Sequence, residues 1–366
     1  LIYDNFILAV ERWSYSDVPI ACALSGGLDS SSILGALNKL KIPVDTYSLG
    51  YEKDVDDKTS DLFLAKKVAN YWNSNHTEII LDPKDFINEL NKMIWSLDEP
   101  YGGGLPSWFV FKEMSKKFKV GLTGTGGDEL FGNYGKWRPM YGNIITRSND
   151  SENSFKMKFF DIFYYFKDAL KRKYIKNSSN LRDTSSMFYD IYKDNNLKKI
   201  KDKVAFLDIK TQLPEEFLLM TDRFSMYYSL EVRTPFLDKD FVDFVLSIPS
   251  EKRTKYYNLK GLLKKSLAPL IPKDVLNAPK KGFTLPLEDW LRNDLKPLVM
   301  HFLSPSFLKE QDIFNESLYY DIILPFLEYK LSCTTKVFGL LMFQLWYNQN
   351  IINKDMLDPV NLFNEL

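Results

Sequence analysis

Residues 20–34 read Ile-Ala-Cys-Ala-Leu-Ser-Gly-Gly-Leu-Asp-Ser-Ser-Ser-Ile-Leu, and this stretch decides the fold. Ile20 to Leu24 is an apolar run of strand length, and Ser25-Gly26-Gly27 is a tight turn. From Leu28 onward, the spacing of Ile33, Leu34, Leu37 and Leu40 predicts a helix. A strand that enters a helix through glycines aims several backbone N–H groups and the positive end of a helix dipole at one spot. That is an anion cradle, and the usual anion is phosphate. Gly26 and Gly27 admit close backbone approach, while Ser25, Ser30 and Ser31 supply hydroxyls. Asp29 is the odd member, because a carboxylate beside phosphate makes sense chiefly with a divalent cation between them. An ordinary glycine-bearing strand-to-helix turn is the plainer alternative.

The flanking sequence alternates strands and helices. Phe6, Ile7, Val10 and Trp13 mark a lead-in helix, and Val44–Leu49, Thr77–Leu81 and Val120–Thr123 read as further strands. Between them run helical repeats: Leu62, Ala65, Val68 and Trp72; Phe86, Leu90 and Met93; Trp108, Phe111, Met114 and Phe118. The pattern predicts an α/β fold, a doubly wound parallel sheet with ligands beyond the carboxyl ends of its strands. We expect this core over residues 1–140, a helical insertion over 141–215 and a mostly helical part over 216–366, with no return to strands. Within the insertion, FKMKFFDIFYYFKDALKRKYIK mixes aromatics and lysines. A helical hairpin with its aromatics inward is preferred there over a nucleic-acid surface.

Lys+Arg 48 balances Asp+Glu 48, which argues against a large nucleic-acid surface. The two cysteines, Cys22 and Cys333, make no disulfide framework and fit a reducing cytoplasm. No apolar run approaches the ~18 residues of a membrane span, so membrane insertion is not expected. The chain opens on Leu1 rather than Met, as a fragment of a longer protein would.

Three further stretches concentrate chemistry. Residues 122–134, LTGTGGDELFGNY, repeat the first logic: strand, glycine turn, then the acidic pair Asp128 and Glu129 opening a helix. Asp128 can share a cation with Asp29, although helix N-termini also favour acids on electrostatic grounds alone. Residues 222–238, DRFSMYYSLEVRTPFLD, put Glu231, Arg233 and Asp238 around a proline turn, which reads foremost as a buried ion-pair network. Residues 278–292, APKKGFTLPLEDWLR, place Lys280 and Lys281 before a glycine, where a lysine can reach a polyphosphate or simply face solvent.

The first stretch resembles the SGGxDS pyrophosphate loop of the ATP pyrophosphatases, not the Walker loop, since no lysine follows its glycines. Taken in order, SGGLDSS, TGTGGDELFG, EVRTPFLD and KKGFTLPLEDWL resemble the synthetase domain of asparagine synthetases, across roughly residues 3–292. His76 in its HTE segment and Asp98-Glu99-Pro100 add to the likeness.

The resemblance implies an ATP- and Mg²⁺-dependent amide ligase. It would convert a carboxylate to an acyl-adenylate with loss of pyrophosphate, then transfer ammonia, most simply turning aspartate into asparagine. It further implies that Ser25, Gly26, Gly27, Asp29, Ser30 and Ser31 cradle pyrophosphate and that Asp29 and Asp128 hold the metal. Leu24, Ser48 and Gly124 would lie near the nucleoside, and Thr123, Thr125, Glu231 and Arg233 near the adenylate. Lys280 would stabilise the α-phosphate, acting catalytically with Asp29 and Asp128.

Two departures qualify the likeness. Thr125 stands where the family usually has Glu or Asp, so an acceptor other than aspartate, such as a uronic acid of a surface polysaccharide, is a variant. The family's N-terminal glutaminase domain is not in this sequence, and Cys22, inside the core strand, does not replace its nucleophile. Nitrogen would then come from an upstream domain, a partner subunit or free ammonia. A pyrophosphate-loop RNA-modifying enzyme and a non-catalytic nucleotide-binding protein are the readings from other classes. Zero net charge counts against the first, and the joint presence of Asp29, Asp128 and Lys280 against the second.

Overall fold

Strand spacing read from the sequence reappears in a computed structural model, which describes residues 1–132, 166–193, 197, 200–255, 258–278 and 285–354. The chain divides into two compact units. One takes Leu1–Asp82, Pro106–Ser148 and Leu197–Phe283; the other takes Pro83–Leu105, Asn149–Asn196 and Thr284–Leu366.

The first unit holds a five-stranded sheet with β1 at Ile20–Ala23, β2 at Asp45–Gly50, β3 at His76–Ile80, β4 at Val120–Leu122 and β5 at Glu231–Arg233. The order is β3-β2-β1-β4-β5, and every neighbouring pair is parallel. The architecture is the α/β fold expected of a pyrophosphate-loop synthetase. β1 is buried from Ile20 through Cys22 because helices cover both faces, which is why its sequence is continuously apolar rather than alternating. Burial also pushes the Cys22 thiol up to about 12, which leaves it an inert core residue. Among the described residues, no helix is long and apolar enough to cross a membrane.

β5 corrects the expectation that nothing beyond residue 215 returns to the sheet. It extends the sheet beside β4, pairing Val120 with Glu231 and Leu122 with Arg233. The Glu231 amide donates to the Lys119 carbonyl at 2.8 Å and the Thr123 amide to the Arg233 carbonyl at 3.0 Å. With β1 between β2 and β4, the strand order reverses at the β1–β4 seam. In open parallel sheets that seam opens the ligand crevice at the carboxyl ends.

Three helices hold the seam in place. α1, Ile2–Ser14, is the predicted lead-in helix and buries Phe6, Ala9 and Val10. Phe6 packs against Phe236 with ring centroids 4.7 Å apart and planes tilted by 42°, tying the start of the chain to the turn after β5. α2, Leu28–Lys39, follows β1, and α3, Asp61–Tyr71, follows β2. α2 packs so tightly on the Ala268–Leu270 turn that a β-carbon at Gly35 would stand 2.2 Å from the Leu270 carbonyl oxygen.

The second unit is helical in its described part, with Pro83–Leu97, Asp168–Tyr174, Leu287–Arg292 and Thr334–Tyr347 among its helices. The lysine-rich insertion, where described, is tied to acids. Lys171 pairs with Asp168, Lys173 with Asp321 and Lys176 with Asp312, while the buried Tyr174 donates its hydroxyl to Asp321 at 3.2 Å. The earlier half of the aromatic stretch, through residue 165, lies outside the described residues.

Candidate nucleotide and cation site

The turn after β1 is held by its own serines. The Ser25 amide donates to Ser30 Oγ at 3.1 Å, the two hydroxyls meet at 3.1 Å, and the Gly27 amide donates to Ser25 Oγ at 3.4 Å. Gly26 sits at φ +70°, a left-handed conformation that a side chain resists. A β-carbon there would also meet the Ala65 backbone nitrogen at 2.6 Å, so α3 approaches this loop as closely as glycine allows. Leu24 and Ser31 are fully buried, and Ser31 Oγ has no hydrogen-bond partner among the described residues. The first backbone N–H groups of a helix such as α2 lack intrahelical acceptors by geometry.

The second glycine loop lies directly on the first. Gly124 abuts Asp29 and the Ser30 backbone, where a β-carbon would stand 2.9 Å from each. Gly127 faces the Asp29 carboxylate, which its β-carbon would approach to 2.6 Å. These glycines are therefore the condition for two loops to share one site. Asp128 and Glu129 stand in the first turn of the short helix Gly127–Phe131, as expected. The Thr123 and Thr125 hydroxyls meet at 3.2 Å.

Asp29 and Asp128 do converge, and the group on which they converge is an ammonium. Lys260 Nζ lies 2.5 Å from Asp29 Oδ2 and 2.8 Å from Asp128 Oδ1, with its own side chain 4% exposed. Burial alone would push this ammonium down, but Asp128 and Asp29 outweigh it and hold it above its ordinary value. Lys260 itself takes φ +55° just ahead of the helix Gly261–Leu267. Sequence reading missed this residue. No local signal marked it, because it stands among Lys255, Lys264 and Lys265 and reads as part of a solvated face.

Ser48 projects from β2 toward β3. His76 Nε2 lies 3.1 Å from Ser48 Oγ, and His76 Nδ1 lies 2.9 Å from Thr46 Oγ1. Thr46 Oγ1 in turn meets Ser74 Oγ at 3.1 Å, and Ser74 donates to the Val44 carbonyl at 2.8 Å. A carbonyl only accepts, so the chain has one consistent polarity. Ser74 donates to Val44, Thr46 to Ser74, His76 Nδ1–H to Thr46, and Ser48 to Nε2. Burial lowers the His76 pKa, in keeping with this neutral tautomer.

The EVRTPFLD stretch is structural at its described contacts. Arg233 donates to the Trp13 and Tyr15 carbonyls at 3.1 and 2.7 Å and pairs with Glu231 at 2.7 Å. Asp238 caps the following helix through the Phe241 amide and binds Arg12 and the Trp13 indole. The expected burial of this network holds for Asp238 but not for Glu231, which is 61% exposed. Glu231 also pairs in register with Val120, the first residue of β4, at the end of the sheet away from the glycine loops. The structure thus brings together Ser25, Gly26, Gly27, Asp29, Ser30, Gly124 and Asp128, and leaves Glu231 apart. Lys280 and Lys281 lie outside the described residues.

Among the described residues no group of three or more His, Cys, Asp or Glu side chains is able to hold a metal. The two convergent carboxylates nevertheless fit magnesium, which commonly binds one or two carboxylates and completes its octahedron with phosphate oxygens and water. The ammonium between them marks where a positive charge belongs.

Comparison with known proteins places the chain in a family. The family model for asparagine synthase matches residues 2–348. "Asparagine synthetase [glutamine-hydrolyzing] 1" of Bacillus subtilis (strain 168) is 29% identical, over 97% of this chain and 59% of its own length. "Asparagine synthetase [glutamine-hydrolyzing] 3" of the same organism is 28% identical over 81% of this chain and 51% of its own. "Asparagine synthetase [glutamine-hydrolyzing]" of Mesocricetus auratus is 27% identical over 78% of this chain and 42% of its own. The chain spans about half the length of the curated relatives it matches. With both glycine loops, the parallel sheet and a family match across nearly its whole length, this chain belongs to the asparagine synthase family.

Proposed function

We propose that this protein is an ATP-dependent amide ligase that activates a carboxylate as an acyl-adenylate. The single observation that carries the reading is the convergence of Asp29 and Asp128, from two interlocked glycine loops, on one cationic point at the strand-order reversal. A substrate carboxylate oxygen attacks the α-phosphorus of ATP, the bond to the bridging oxygen breaks, and pyrophosphate leaves. Ammonia then attacks the acyl carbon, AMP departs, and the amide remains.

In this reading the β1 loop, through its N–H groups and Ser25 and Ser30, binds the leaving pyrophosphate. Asp29 and Asp128 would hold magnesium, which when bound supplies Lewis-acid polarisation and offsets phosphate charge. Lys280, matched by motif, would stabilise charge at the α-phosphate. Ammonia would come from glutamine through a glutaminase domain or subunit, as the relatives' names suggest for those proteins, or from solution.

The deciding experiment follows ATP cleavage with Mg²⁺ and ammonium over aspartate, glutamate and nucleotide-linked uronic acids. AMP plus pyrophosphate with one acid supports the ligase and names its acceptor. ADP plus phosphate with any acid overturns the reaction class.

A second reading of the acceptor rests on Thr125. Its hydroxyl is engaged by Thr123 and carries no charge to orient an α-amino group or to take a proton from ammonium. This favours an acceptor without an α-ammonium, such as a uronic acid. Thr125→Glu is then expected to raise turnover of aspartate, and unchanged turnover would remove Thr125 from acceptor choice.

A further inference from the structure

We propose that Lys260 is the resident counter-ion of the Asp29–Asp128 pair, and that it reserves the pair for a divalent cation arriving with phosphate. This deepens the ligase reading and rests on its assignment of Asp29 and Asp128 as the cation-holding pair.

The argument begins with charge. Two carboxylates brought onto one point each contribute a negative charge, attractive to any divalent cation. The Lys260 ammonium contacts both, Asp29 at 2.5 Å and Asp128 at 2.8 Å, and offsets part of that charge. A divalent ion seeking the same oxygens must displace or sit beside a buried positive charge, and like-charge repulsion at such range is strong. Phosphate oxygens reverse the balance, because they give both cations negative partners at once.

The placement of Lys260 is built rather than incidental. Its backbone takes φ +55° immediately ahead of the helix Gly261–Leu267, and its carbonyl accepts the first-turn bond from the Lys264 amide at 2.8 Å. A β-carbon on Gly261 would lie 2.3 Å from the Asn258 side chain, so the chain here is held close on itself. The side chain is threaded 231 residues back in sequence to Asp29. A solvated surface lysine needs none of this.

The test measures metal binding without turnover. Mn²⁺ is titrated into the protein at neutral pH and followed by electron paramagnetic resonance or water-proton relaxation, with and without a non-hydrolysable ATP analogue. Wild-type protein is expected to bind free Mn²⁺ weakly. Lys260→Met is expected to bind it about tenfold or more tightly, and Lys260→Arg, which keeps the charge, to stay near wild type. Equal free-Mn²⁺ affinity in wild type and Lys260→Met overturns the proposal. Should Lys260→Met fail to fold, wild type alone decides: Mn²⁺ bound as tightly without the analogue as with it also overturns it. A protein that forms no AMP with any acid, yet gains Mn²⁺ affinity in Lys260→Met, would remove the ligase reading and leave the counter-ion standing.

Discussion

Gly124 lies against Asp29 so closely that a β-carbon at 124 would stand 2.9 Å from the Asp29 β-carbon and from the Ser30 backbone nitrogen. The loop after β4 is thus seated on the first turn of α2, and neither loop has its site geometry without the other. Gly124→Ala forces backbone to shift, because the atoms it meets include a main-chain nitrogen. We expect a cost of about 1–3 kcal/mol in chemical denaturation and a loss of affinity for an ATP analogue. An unchanged unfolding midpoint would mean the loops are not in contact.

Asp128→Asn removes one of the two carboxylates on Lys260. Asp29 still holds the ammonium, so the chain folds, with a loss of about 2 kcal/mol for a charged hydrogen bond. AMP formation is expected to fall below detection with Mg²⁺ present. Full AMP formation by a folded Asp128→Asn protein would strike Asp128 from the metal-holding pair.

His76 gives a pH dependence with a definite sign. Burial lowers its pKa, so the folded state takes up the proton at lower pH than the unfolded chain does. Its contribution to stability is present above the ordinary histidine value of about 6.5 and is lost as pH falls through the depressed one. Thermal midpoints taken downward from pH 7.5 should decline, and His76→Gln should lack that part of the decline. Parallel curves for the two proteins would place the titrating group elsewhere.

Asp238 acts lower on the scale. The Arg12 guanidinium, first among its partners, holds its carboxyl below the usual range, assisted by the Phe241 amide and the Trp13 indole. Its stabilisation is full above about pH 4 and drains as pH falls through the depressed value. Asp238→Ala removes a helix cap and the tie to α1 together. It should lower the midpoint at pH 7 while flattening the acid limb below pH 4, a combination that loss of the cap alone would not give.

β1 and β4 were legible as buried apolar runs bounded by turn residues, whereas β2 and β3 mix polar and apolar side chains and were placed by their position between helical repeats. β5 was not. Its three residues include one apolar side chain, Val232, and they become a strand only because β4 offers an unpaired edge. The two glycine loops were legible as strand-to-helix turns from composition and order, and the structure brings their aspartates together on Lys260. Lys260 was not, lying in a run with Lys255, Lys264 and Lys265 that reads as a solvated face. Its burial depends on a backbone conformation and a partner far away in sequence, neither of which any local pattern encodes. Glu231 was over-read for the opposite reason. A motif named it, and the strand register then set it at the other end of the sheet.

The distance in sequence from Asp29 to Lys260 has a consequence for synthesis. A ribosome finishes both glycine loops early, yet the ammonium that contacts their aspartates emerges about a hundred and thirty codons after the second loop. Until then a nascent chain holds both aspartates without that ammonium, and for most of that span, until β5 is made, β4 lacks its outer neighbour. Chains released before residue 260 are therefore expected to be substrates for chaperones and proteases, and an internal start or stop in this region yields no smaller folded version of the protein.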